Sequence, residues 1–156
     1  MDLPKRILVG VDYSPQSATA MRAAIGLAKS LNASVHLLNA WVAPYAEAPI
    51  DATTLPREVR DHNLFELIRQ SSATSMEAFV AQFDASGVEL DWFISSGDPR
   101  KLLLQHAQTH HCDWIVVGTH GHAGLKAWVL GSVATHIVRH SSVPVLVIPP
   151  QQEASA

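Results

Sequence analysis

The amino-acid sequence predicts an α/β protein: a three-layer sandwich with a five-stranded parallel sheet and helices on both faces. Three observations predict it. Short apolar runs of strand length recur along the chain, and the segments between them carry helical spacing. Polar-plus-proline or glycine signals stand where strand hands over to helix. Such alternation favours parallel strands joined by right-handed crossovers.

The elements follow in order. Residues 6–11 (RILVGV) form a near-continuous apolar run, the pattern of a strand buried on both faces. Ser14-Pro15 then supplies a helix cap and a first-turn proline. Ala18, Met21, Ile25 and Ala28 recur at helical spacing, and Asn32 closes that helix. Residues 35–42 (VHLLNAWV) read as the second strand, and 43–55, with Pro44 and Pro49, as a loop able to flank a site. A long helical pattern runs from near Pro56 to about Ser86, with Leu64, Ile68, Met76, Phe79, Val80 and Phe83 as its buried face and Gly87 as its stop. Residues 88–95 make the third strand. Asp98-Pro99 repeats the capping signal and opens a helix to about Thr109. Residues 114–117 (WIVV) are the fourth strand, ending at Gly118. Gly131-Ser132 opens the last helix, through about His140, and residues 145–148 (VLVI) are the fifth strand. One domain over residues 1–150 and a polar tail at 151–156 are expected.

Composition narrows the function. The net charge is -3 and no basic stripe appears, which argues against nucleic acid as a partner. No apolar stretch reaches the roughly 18 residues that span a bilayer. The lone cysteine, Cys112, suits a reducing compartment, and a cytoplasmic location is expected.

The strongest chemical signal is GTHGHAGLKAWVLGS, residues 118–132. Gly118 ends a strand, Gly121 follows after two residues, and Gly131-Ser132 starts a helix after nine more. Glycines permit positive φ and let backbone N–H groups approach a ligand. A helix start adds unpaired amides and the positive end of the helix dipole, which together favour an anion such as phosphate. Ser132 adds a hydroxyl. Hydrogen bonds to a charged group contribute about 1.5–3 kcal/mol each. The spacing is neither a Walker A loop nor a dinucleotide fingerprint, and the competing reading is a glycine-rich turn with no ligand.

The pattern Gly118-x2-Gly121-x9-Gly131-Ser132 resembles the ATP-binding signature of the universal stress protein family. The likeness extends over nearly the whole chain, through the opening ILVGVDYS and the closing GSVATHIVRHSSVPVLVIP. The resemblance implies strand order 3-2-1-4-5, a homodimer, and ATP bound between the first and fourth strands. By the same resemblance Asp12 lies near the adenosine and Ala40 offers a backbone contact to adenine. Gly118, Gly121, Gly131, Ser132 and Val133 hold ribose and phosphates, with Thr119 and His120 in the same loop. Members with this signature commonly carry arginine at the position of His122 and glycine at that of Ala123. A basic residue is also frequent at the position of Ala127. Lys126 remains as the loop's fixed positive charge, so ADP or AMP can compete with ATP, and Mg2+ is expected only through the nucleotide.

Other residues carry ordinary readings beside the functional ones. Asp12 suits a ligand contact or a simple turn. The nine histidines, including the His136/His140 pair one helical turn apart, read as solvated surface groups and not as a metal site. Cys112 reads as an inert boundary residue. Trp41, Trp92 and Trp114 read as packing residues, and Trp128 as an anchor of the loop. The apolar last strand, Val145, Leu146, Val147 and Ile148, would leave an exposed edge that pairing with a second copy removes. Three functions compete: an ATP-binding stress-response regulator with at most slow hydrolysis, an ATP-using transferase, and a ligand-free dimeric interaction module.

Overall fold

The computed structural model describes residues 3–42, 64–120 and 130–151. Five strands, β1 (Arg6–Gly10), β2 (Ser34–Trp41), β3 (Leu90–Ser96), β4 (Trp114–Gly118) and β5 (Val145–Ile148), form one parallel sheet in the order β3-β2-β1-β4-β5. The described helices are α1 (Pro15–Leu31), α2 (Leu64–Val80), α3 (Pro99–Thr109) and α4 (Ser132–His140).

Side chains alternate across the sheet with the period of two that a strand imposes. From β1, Ile7 and Val9 join Val35 and Leu37 of β2 on one face, under Met21 and Ile25 of α1 and Met76 and Phe79 of α2. Leu8 and Leu38 point to the other face and meet Leu103 of α3 and Ile137 of α4, with Ile115 and Val117 beside them. Each fully buried side chain of this size contributes about 1.5–3 kcal/mol. Double-sided burial of β1 and β4 explains their unbroken apolar runs, the expected mark of a parallel sheet.

Two helix starts are set by their own residues. The Ser14 side chain accepts from Ser17 N at 3.2 Å, and Pro15 begins α1. The Asp98 carboxylate accepts from Arg100 N at 2.9 Å, and Pro99 begins α3. Asn32 closes α1 in the left-handed region, at φ 53°.

Four expectations are corrected. Helix α2 ends at Val80, not near Ser86. Past it the amides of Gln82 and Phe83 bond three residues back, and Asp84 Oδ1 accepts from Ser86 N at 3.0 Å, a local turn that competes with the helix. Met76 and Phe79 are buried and Val80 and Phe83 partly so; the stretch from Pro56 to residue 63 and the side chains of Leu64 and Ile68 lie outside the described residues. Strand β3 begins at Leu90, and Trp92 is exposed on this edge strand, at 36% exposure. Three of the histidines expected at the surface, His36, His106 and His120, are instead buried, at 6–9% exposure. His36 occupies an inward position of β2 against α3, so the strand's pleat buries it whatever its polarity. Cys112 is buried, and burial pushes its thiol up to about 11, consistent with an inert residue. Among the described residues, no helix is long and apolar enough to cross a membrane.

Candidate functional site

Strand order reverses at β1, whose neighbours are β2 on one side and β4 on the other. Open α/β sheets hold ligands beyond the C-terminal strand ends at such a point. A cavity of about 390 Å³ lies there. Its wall comes from the end of β1 (Gly10, Val11, Asp12), from Leu38 and Ala40 of β2, from Pro99 and Leu103 of α3, and from residues 117–120 and 131–134.

The expected site residues divide between this wall and the segment not described. Asp12, Ala40, Gly118, Thr119, His120, Gly131, Ser132 and Val133 all line the one cavity. Gly121 and Lys126, with Trp128, lie outside the described residues.

The first corner is the turn from β1 into α1. Asp12 accepts from Ser14 N at 3.0 Å, which bends the chain directly into the Ser14 cap. Tyr13 between them holds φ 64°, a left-handed conformation uncommon for a residue with a side chain. Tyr13 is fixed by an edge-on contact with Phe79 and by burial that pushes its hydroxyl up to about 12. Asp12 therefore serves the turn as well as lining the cavity. Buried Asn39, which sequence reasoning passed over, secures the same corner by donating Nδ2–H to the Val11 carbonyl at 2.9 Å. Its signal was a polar amide set between the apolar Leu37-Leu38 and Ala40-Trp41 of the strand.

The second corner joins β4 to α4, and here the expected use of the glycines changes. Neither Gly118 nor Gly131 has positive φ; Gly131 sits at φ -62°. Both instead permit close backbone approach. A Cβ on Gly118 would lie 3.2 Å from the Gln16 carbonyl oxygen, and one on Gly131 only 2.9 Å from the Thr119 carbonyl oxygen. The expectation that amides from 118 to 132 together cradle an anion is also narrowed. Thr119 N donates to Ile148 O at 3.1 Å, and Gly131 N donates to Thr119 O at 2.7 Å. These two amides are committed within the protein.

Helix α4 supplies what remains. Its N-cap is Gly131, with no side chain to accept from the first turn. The first intrahelical bond runs from Thr135 N to Gly131 O at 2.9 Å. The amides of Ser132, Val133 and Ala134 precede that bond, and all three residues line the cavity. His120 stands opposite, buried. Its Nδ1 lies 3.0 Å from Thr119 Oγ1, and its Nε2 has no hydrogen-bond partner among the described residues. Helix-start amides and an orphaned buried imidazole nitrogen thus meet one apolar slot formed by Val11, Leu38, Leu103 and Val117.

A model of the universal stress protein family matches residues 4–149. The chain belongs to that family. Universal stress protein YxiE of Bacillus subtilis is 30% identical over 148 residues, covering 92% of this chain and 97% of its own. Among solved structures, universal stress protein UspA from Lactobacillus plantarum superposes with TM-score 0.69 at 26% identity, over 92% of this chain and 97% of its own. A universal stress protein in complex with cAMP gives TM-score 0.62 at 22% identity, over 96% and 100% of the two chains. A family protein from Arabidopsis thaliana with AMP bound gives 0.59 at 24%, over 93% and 91%. The Rossmann-like sheet order is therefore that of known universal stress proteins.

Proposed function

We propose that this universal stress protein is a regulatory module that binds an adenine nucleotide in the cavity between β1 and β4, with ATP as the leading ligand and ADP or AMP as competitors. One observation carries the reading: an uncapped helix start opens into the same cavity as an apolar slot at the sheet's reversal point. The slot suits a flat heterocycle, and the amides of Ser132, Val133 and Ala134 suit phosphate oxygens. The Ser132 hydroxyl and His120 Nε2 add two donors. Support comes from relatives of the same fold that hold cAMP or AMP. Gly121 and Lys126 would complete the phosphate side, and Mg2+ would arrive with the nucleotide. A lone cysteine suits a cytoplasmic location for this work.

Calorimetric titration with ATP, ADP, AMP and adenosine tests the reading. Saturable binding of the nucleotides, weaker for adenosine, is expected. Absence of binding by all four would leave the ligand-free interaction module. Phosphate release under steady state then separates a binder from an ATP-using enzyme, and turnover slower than one per minute is expected.

We also infer a homodimer through β5. This strand ends the sheet, and Leu146 is 37% exposed on it. An apolar edge with unpaired backbone groups favours pairing with a second copy. Light scattering should give twice the chain mass, falling to the single mass in Leu146→Asp.

A further inference from the structure

At the opposite end of the sheet from the nucleotide cavity, three histidines converge. His36 stands on β2, four residues before Ala40 and so roughly 13 Å along the strand. His106 and His110 stand one turn apart at the end of α3, on one helix face. One ring nitrogen from each falls within 4.8 Å of the other two. His36 Nδ1 and His106 Nε2 are 3.3 Å apart. Two imidazole nitrogens bound to one tetrahedral zinc stand roughly 3.3 Å apart, given a zinc–nitrogen bond of about 2.0–2.1 Å.

We propose that His36, His106 and His110 form a binding site for a divalent transition metal of the zinc class, with three imidazole ligands and one open position. His36 and His106 are buried and His110 is half-buried, so the ion would sit under α3 with access from the side of His110. Phe93 packs against all three rings and holds them together, at centroid distances of 5.1, 4.5 and 4.9 Å. Asp91, beside His36 in the β3 register, holds its carboxylate 3.8 Å from His36 Nε2. That is the side from which a carboxylate orients a metal-bound imidazole, though 3.8 Å is longer than a hydrogen bond and the exposed Asp91 side chain would have to close on His36 to make one. The charges facing the cluster are mixed. The Arg6 guanidinium, which donates to the His110 carbonyl, opposes a cation; Asp91 and Glu89 favour one. A hydrogen bond between His36 Nδ1 and His106 Nε2, one ring donating and the other accepting, is the alternative that needs no metal.

The test is a zinc titration of the untagged full chain after chelator treatment, read by calorimetry and melting temperature. One Zn2+ per chain and a saturable rise in melting temperature are expected. His110→Gln should weaken binding at least tenfold, and Asp91→Asn by about tenfold. The pair of half-buried His136 and exposed His140, whose rings stack at 4.1 Å, is the competing surface site; the double variant to glutamine should leave zinc binding unchanged. Replacing zinc with Co2+ gives a readout apart from stability: intense visible bands mark four-coordinate geometry. No saturable zinc uptake, or uptake lost in the His136/His140 variant and kept in His110→Gln, would overturn the proposal.

Discussion

The two ends of the sheet handle buried polar groups differently: at one they face other protein groups, and at the other they face a cavity. At the N-terminal end the histidines face one another and Arg6 donates from its terminal guanidinium nitrogen to the His110 carbonyl, while its buried Nε has no partner among the described residues. At the C-terminal end α1 and α3 begin with side-chain caps, while α4 begins on a glycine with none. Among these three helix starts, two meet their first-turn amides with a side chain of their own cap residue and one does not. Helix-start amides ahead of the first intrahelical bond, together with a His120 Nε2 that has no partner among the described residues, are what the proposed ligand would engage.

Gly131→Val strikes this contrast hardest. The sequence alone suggests that it blocks the phosphate path and spares the fold. With Thr119 O 2.9 Å from the new Cβ, the β4–α4 corner must shift instead. Nucleotide affinity is expected to fall by roughly a hundredfold and stability by about 1–3 kcal/mol, seen in calorimetry and urea unfolding. Unchanged stability would mean that the corner is softer than its geometry implies.

Acid probes the other end. Burial, then the neighbouring charges of His110 and His36, lower the His106 pKa from 6.5 to about 4. The unfolded chain therefore takes up this proton first as pH falls. Stability is full above about pH 6.5, is lost progressively towards about pH 4, and levels off below. One such group gives a slope of about 1.4 kcal/mol per pH unit. Urea midpoints across this window, with chelator present, should fall less steeply in His106→Gln than in the parent.

Smaller effects sharpen the capped-against-uncapped contrast. Ser132→Ala should weaken nucleotide binding up to tenfold with little change in urea midpoint, because Ser132 lines the cavity and is exposed. Ser14→Ala should do the reverse, costing about 1 kcal/mol of stability through the lost cap while affinity changes little.

Local signals made most of the fold legible. Ser14-Pro15 and Asp98-Pro99 each mark a helix start to the residue, because cap and proline act within one turn. The apolar runs of β1, β4 and β5 mark strands because both faces of β1 and β4 are covered, and the strand order came from family resemblance and agrees with the sheet. Signals that depend on distant partners were harder to see. Whether Thr119 N is available depends on where Ile148 of β5 stops beside it, a contact across the sheet. The His106/His110 spacing is visible in the sequence, but its meaning rests on His36, which lies 70 residues away and meets α3 only through the strand's pleat. At the candidate site, the glycines were legible as landmarks and close backbone approach was expected along with positive φ; Gly118 and Gly131 lack the positive φ, and the close approach is to carbonyls of the protein itself.

The most direct measurement of the central claim is an amide-resolved NMR titration with ATP and, in parallel, adenosine. The amides of Ser132, Val133 and Ala134 should shift saturably with ATP and far less with adenosine, since phosphate is the group they are proposed to hold. Saturable ATP binding that leaves those three amides unmoved would contradict the account.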